Sequence, residues 1–263
     1  MEYMFYNCSS LIEINLSNFN TEDVTGMEGM FSDCKLLKVL NLSKFDTKNV
    51  VSMSYMFKGC SSLTELNLSN FNTMNVMDMN NMFGSCSSLE KINLSHFKTN
   101  KLLFMSGMFS GCSSLKEINL SNFNTKNIFS MANIFYGCSS IKELNLSNFI
   151  TDNTNSMYNM FSNCSALKEI DISNFNTANV TDMSGMFSDC INLKKINLFN
   201  FNTKKLIKAN KMFYGCHSLE DINLSNFDIN DIIEVESMFK GCSKELLKKF
   251  INEYNIKRDE AFI

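Results

Sequence analysis

The chain contains no proline, ten glycines and two histidines, His96 and His217, in 263 residues. The missing proline and modest glycine content exclude collagen-like and proline-rich linker architectures. No apolar run approaches the ~18 residues of a membrane-spanning helix. The opening Met1, Glu2, Tyr3 and Met4 carry neither the basic start nor the apolar stretch of a secretory signal. There is no Cys-x-x-Cys, and the two histidines fall in different repeat positions, so zinc-ligand spacing is missing too. With a net charge of −3, nothing favours a nucleic-acid partner, which would call for a basic face. What remains is a mildly acidic chain with 44% hydrophobic residues, ample for a core.

What is present is a repeat. Cys8, Cys34, Cys60, Cys86, Cys112, Cys138, Cys164, Cys190, Cys216 and Cys242 are spaced by 26 residues without an insertion. A period that constant means one supersecondary unit stacked on itself, each residue type forming a column along the stack. The unit reads C-S-S-L-x-x-[IL]-N-L-S-N-F-N-T-x-x-V-x-x-M-x-x-M-F-x-G. Phenylalanine fills two columns without exception, Phe5 to Phe239 and Phe19 to Phe227, and two further columns hold 17 of the 19 methionines. No single unit could bury such side chains alone, so they are expected to form ridges sealed by stacking.

The alternation in L-x-x-[IL]-N-L, as at Leu63, Leu66 and Leu68, predicts a strand. The other arm spaces Val24, Met27, Met30, Phe31 and Cys34 mostly by three, which predicts helical or 3₁₀ turns. The residue before each cysteine is Gly, Asn, Asp or Ser, types that tolerate positive φ and mark a corner. The pattern therefore predicts an α/β solenoid of about ten 26-residue coils over residues 1–242, with parallel strands. Met1 shares a column with Met27 and Met53, so the solenoid starts inside a repeat, as a fragment or the tail of a longer array would. Residues 243–263 depart from the repeat. Leu246, Leu247, Phe250, Ile251 and Tyr254 share one helical face behind a Ser243 N-cap, with Lys248 and Lys249 opposite. This segment is expected to be a C-terminal capping helix and tail.

The L-x-x-[IL]-x-L core in a period of this length is that of leucine-rich repeats. The fuller wording, in Met56–Leu63, Leu66–Thr73 and Val180–Phe187, resembles the BspA-like leucine-rich-repeat surface proteins over residues 1 to about 242. The resemblance implies a leucine-rich-repeat superhelix, display at a cell surface or secretion, and adhesion through a protein ligand such as a host or matrix protein. It implies no catalytic residues and no cofactor. The asparagine that usually follows the repeat core is replaced by Phe19 and its equivalents, so aromatic packing is expected at that corner.

Several columns invite chemistry. The cysteines are expected to be buried free thiols acting as small hydrophobes, since parallel Cβ vectors suit a disulfide poorly. Carboxylates (Glu13, Glu65, Glu117, Glu143, Glu169, Asp221) adjoin lysines (Lys38, Lys116, Lys142, Lys168, Lys194) and read as a solvated, self-neutralising face. Asn67, Asn93, Asn119 and Asn145 lie between inward leucines and point outward, either as an amide ladder along the stack or, with Glu65, Glu117 and Glu143, as a polar binding face. The Thr21 to Thr203 column is expected to satisfy local backbone groups at a corner. Val51, Met77, Leu103, Phe104 and Phe129 could form an exposed apolar strip across adjacent coils, or be partly covered by the turn arm. No residue pattern breaks the repeat as a catalytic centre would, and no metal site is expected. A non-enzymatic protein-binding module follows, adhesin-like at the surface, or alternatively an intracellular scaffold or regulatory protein in the cytoplasm. Ten unpaired thiols lean toward reducing surroundings.

Overall fold

The computed structural model describes residues 1–227, 229–254 and 258–263. The side chains of Ile251, Glu253 and Tyr254, two of which belong to the helical face expected above, lie outside the described ones.

The turn arm sets how coils join. Met27, Gly29, Phe31 and Asp33 donate their N–H groups to the carbonyls of Ser52, Ser54, Met56 and Lys58 in the next coil, at 2.6–3.0 Å. Between them, Met30, Ser32 and Cys34 donate back three residues, to Met27, Gly29 and Phe31. Alternate N–H groups thus serve the coil and its neighbour. Of the short helix or turns expected on this arm, the chain makes consecutive turns. The period-three spacing belongs to those i→i−3 turns, which two left-handed residues per coil prevent from extending into a helix. One is the residue before each cysteine, from Asn7 (φ 57°) to Gly241 (φ 87°), as the residue types predicted. The other lies four residues earlier and includes Tyr3, Tyr55 and Lys211, which gave no such signal.

The strand arm pairs in parallel, but briefly. β1 (Lys91–Ile92) pairs with β2 (Glu117–Ile118), and β3 (Lys195–Asn197) with β4 (Asp221–Asn223). Single bridges continue this ladder at Glu13–Val39 and Glu169–Lys195. These strands are shorter than the sequence alternation suggested. They stop where an asparagine side chain captures the backbone N–H two residues on, as Asn67 does at Ser69 (3.0 Å). A second parallel ladder of single bridges runs through Gly26, Ser52, Asp78 and Phe104, and again from Ser130 to Glu234. Among the described residues no bridge joins Phe104 to Ser130.

Both phenylalanine columns are interior apart from the half-buried Phe5 and Phe19 of the first coil. From Phe5 to Phe239 the rings of one column stack at 5.4–5.9 Å with interplanar angles of 1–14°. Methionine, leucine and cysteine columns fill the space around them. At the far end, helix α1 (Lys244–Tyr254) starts with Ser243 Oγ accepting the Leu246 N–H (3.2 Å). It buries Leu246 and Phe250, half-buries Leu247, and leaves Lys248 exposed, while Lys249 pairs with Asp221 (3.0 Å). Phe250 and Phe262 both lie against Phe239, at 4.4 and 5.8 Å. Ser237 and Phe239, whose N–H groups would serve a further coil, donate to Glu260 and Ala261 (2.7 and 2.8 Å).

A methyl group at Gly185 (φ +62°) would meet the Asn159 amide oxygen of the preceding coil. Gly185→Ala is therefore expected to lower stability by about 1–3 kcal/mol, read as a lower urea midpoint at unchanged slope.

Candidate binding surface

The strand arm presents its outward residues in rows. Asn67, Asn93, Asn119 and Asn145 are all exposed, as are Glu65, Glu117 and Glu143. Glu65, Asn67, Asn93, Glu117 and Asn119 come together around one groove of about 850 Å³, with Leu66, Ile92 and Ile118 in its lining. Glu143 lines a second groove of about 650 Å³ further along, while Asn145 lines neither.

The asparagines do not form an amide ladder along the stack. Each Oδ1 accepts the N–H two residues ahead in its own coil: Asn67 from Ser69, Asn93 from Ser95, Asn119 from Ser121 and Asn145 from Ser147, at 3.0–3.1 Å. Asp171 makes the same bond to Ser173 (3.0 Å), so a carboxylate substitutes there without loss of the turn. With Oδ1 engaged, each Nδ2 is left as an outward donor. The rows therefore offer amide donors beside carboxylate acceptors over an apolar floor, a composition suited to a polypeptide ligand.

The inter-coil side-chain bonds are made elsewhere, in columns that sequence reasoning passed over or read as local. Asn70 Nδ2 donates to the Leu42 and Phe45 carbonyls (3.0 and 2.8 Å), and Asn148 and Asn174 repeat the arrangement. His96 stands in this column, its Nε2 2.8 Å from the Leu68 carbonyl, and so takes over the asparagine's structural part. The threonine column reaches across coils too. Buried Thr47 Oγ1 donates to the Asn72 carbonyl (3.1 Å) and accepts the Asn72 N–H (2.7 Å), a pattern running from Thr21 to Thr177. The recurrence of asparagine and threonine in these columns was the available signal; their reach of 25 or more residues was not.

Nine cysteines are buried and free, but Cys8 is exposed, contrary to the expectation for all ten. Cys34, Cys60 and the thiols up to Cys216 each donate to a phenylalanine carbonyl of the preceding coil at 3.1 Å. Burial pushes Cys34 up to about 11, and Cys112 and Cys164 up to about 12. Of the apolar strip, Val51, Met77, Phe104 and Phe129 are exposed, the two rings by 50% and 59%, whereas Leu103 is half-buried. The break in the second bridge ladder falls between Phe104 and Ser130, beside this strip, and Ser106 Oγ spans it by donating to the Ser130 carbonyl (3.3 Å). No group of three or more His, Cys, Asp or Glu able to hold a metal occurs among the described residues. None of their helices is long and apolar enough to cross a membrane.

A thiol reagent should label one cysteine, Cys8, in the native chain and the other nine only on unfolding. Burial favours the neutral thiol, so its stabilising contribution is complete below the ordinary thiol value of 9.0 and is lost as pH rises through about 11 to 12; the melting temperature should fall across that window. His96→Asn should keep the bond to Leu68 and gain one to the Phe71 carbonyl, raising stability by up to about 1 kcal/mol in urea unfolding.

Comparison with protein-family models matches residues 1–118, 36–148, 89–170 and 130–254 to the family described as Mycoplasma protein of unknown function, DUF285. No curated protein matches the chain. Among solved structures, a leucine-rich repeat protein from Bacteroides ovatus is 24% identical, with 92% of this chain and 62% of that one covered and a TM-score of 0.53. A leucine rich repeat protein of T. pallidum (TpLRR) is 19% identical, with 76% and 86% covered and a TM-score of 0.49. A leucine rich cell surface protein from Faecalibacterium prausnitzii is 16% identical, with 84% and 75% covered and a TM-score of 0.33. The chain spans 62% of the length of the Bacteroides protein, and the likeness to it is one of fold: a leucine-rich-repeat solenoid. With matches running from residue 1 to residue 254, and with repeats worded like those of BspA-like leucine-rich-repeat surface proteins, this chain belongs to the DUF285 family.

Proposed function

We propose that this chain is a non-enzymatic protein-binding module of the adhesin type, acting at a cell surface or after secretion. In this reading residues 1–242 form a ten-coil binding array, and 243–263 close its end as a capping helix and tail. The ligand is a protein, such as a host or matrix protein, lying across the strand face. The observation that supports this best is the groove of about 850 Å³ where Glu65, Asn67, Asn93, Glu117 and Asn119 converge, the turn bonds of these asparagines being made by Oδ1 and not by the amide nitrogen. Glu143 and Asn145 extend the same face by one coil, and the strip of Val51, Met77, Leu103, Phe104 and Phe129 is a separate candidate contact. A second reading, an intracellular scaffold or regulatory protein, is favoured by the nine buried unpaired thiols, which suit a reducing compartment.

Aspartate separates ligand binding from folding, because Asp171 makes the same turn bond as the asparagines. The double variant Asn93→Asp, Asn119→Asp should melt within about 2 °C of the parent. Against an immobilised panel of purified extracellular-matrix and cell-surface proteins, it should lose at least tenfold in affinity for whichever member the parent binds. Equal affinity of the two forms would place the ligand elsewhere, and a parent that binds no member of the panel would remove the adhesin reading.

A further inference from the structure

Inter-coil ion pairs in this array run along columns. Lys48 reaches Glu22 (3.0 Å), Lys116 reaches Glu90 (2.7 Å) and Lys208 reaches Glu234 (3.1 Å), each pair 26 residues apart in sequence. Lys101 and Lys205 likewise donate to Asn75 and Asn179, 26 residues back (2.8 and 2.7 Å). Over the middle coils this rule is broken. Lys116, Lys142, Lys168 and Lys194 stack in one column, and Glu117, Glu143 and Glu169 in the adjoining one. Lys142 and Lys168 therefore have lysine on both sides, and Glu143 has glutamate on both sides. All three are exposed, and none has an ion pair among the described residues. Rings of successive coils sit 5.4–5.9 Å apart, and like charges held in register at such spacing repel. The face is self-neutralising in sum but not along the direction in which this fold forms its pairs.

The two rows are, however, complementary to each other. We infer that a second copy of this chain docks on them, related by a two-fold axis that runs along the stack between the rows. That operation keeps coil against coil and exchanges the rows. Lys116, Lys142 and Lys168 of each copy then meet Glu117, Glu143 and Glu169 of the other. The preceding coil keeps the match, because there both signs flip together, Glu90 beside Lys91, and the exchange again sets opposite charges face to face, with Glu90 also paired to Lys116 of its own chain. A two-fold axis across the stack would instead set lysine on lysine. The match ends at Lys194 and Lys195, which share a sign, so the contact covers four coils. It involves Glu117 and Glu143 and would compete with a ligand on the strand face, but it does not rest on that reading.

Sedimentation velocity of the 263-residue chain and its charge-reversed variants tests this. The parent should dimerise in about 0.05 M NaCl and dissociate in about 1 M, where the Debye length shrinks to about 3 Å. The variant Lys142→Glu, Lys168→Glu carries acid in both rows of those coils, and Glu143→Lys, Glu169→Lys carries base in both. Each alone should run as a monomer of 30.0 kDa, and mixing them in equal amounts should restore a dimer. A variant with all four changes exchanges the rows and should self-associate again without pairing with the parent. All four positions are exposed, so circular dichroism should report an unchanged fold. A parent that stays monomeric in low salt would overturn the inference and leave the stripe to a different protein. A dimer that survives high salt, or that persists in either single-sign variant, would overturn it as well.

Discussion

A backbone that alternates its N–H groups between its own turn and the next coil can be satisfied only if the next coil is in register. Phe31 illustrates the constraint: its N–H goes to Met56, 25 residues on, while its carbonyl accepts both the Cys34 N–H and the Cys60 thiol. An insertion in one unit would move the acceptor away from the donor and strand polar groups beside a phenylalanine stack. Buried backbone groups without partners are costly, so the invariance of the 26-residue period has a direct physical cause. The same bonds give the stack a direction. Donors on the turn arm point toward the C-terminal end, and that is where Glu260 and Ala261 supply carbonyls to Ser237 and Phe239. The tail thereby does for the last coil what each coil does for the one before it.

Side chains reinforce that register from within. Thr47 fills both hydrogen-bonding capacities of Asn72, and Asn70 takes two carbonyls of the coil below. Such bonds are short in space and long in sequence. They hold coil to coil at the corners, where the phenylalanine rings alone would permit sliding. Burial supplies most of the stabilisation, and these polar clamps choose which of the available stackings is adopted. This division explains why His96 is tolerated in an asparagine column: its ring nitrogen reaches the same Leu68 carbonyl.

Much of this was legible in the sequence because repetition turns each position into a column with a visible composition. The phenylalanine, methionine and cysteine columns announced a shared interior, and small or polar residues before each cysteine announced the positive-φ corner. The turn arm was left between short helix and turns because a spacing of three is common to 3₁₀ helix and to consecutive turns. Only the second left-handed position separates them, and Tyr55 and Lys211 conceal it. The outward direction of Asn67, Asn93, Asn119 and Asn145 was readable from alternation; the destination of their side-chain oxygens was not. A bond to the residue two ahead and a ladder along the stack require the same residue at the same place. The groove itself had no sequence signature, since it depends on how adjacent coils set their outward rows.

In a molecule this regular, function can reside where the columns change or in side-chain atoms that stacking leaves unused. A column occupied alike in all coils reports what stacking demands, as the phenylalanines do. Asn93 and Asn119 partly belong to that class, because their Oδ1 atoms serve the turn, yet their nitrogens are not needed for it. Asp171 demonstrates this by making the turn with no nitrogen at all. The surplus chemistry of a structural column is thus available to a ligand at no cost in folding. The lysine and glutamate rows around Lys142 and Glu143 differ in kind, because stacking gains nothing from them and their in-row repulsion opposes it. The break between Phe104 and Ser130 is similar, for two exposed aromatic rings sit where one bridge of an otherwise continuous ladder is missing. Repetition supplies a rigid, fully satisfied frame, and the departures from it mark the places where the surface is free to be about something other than the fold.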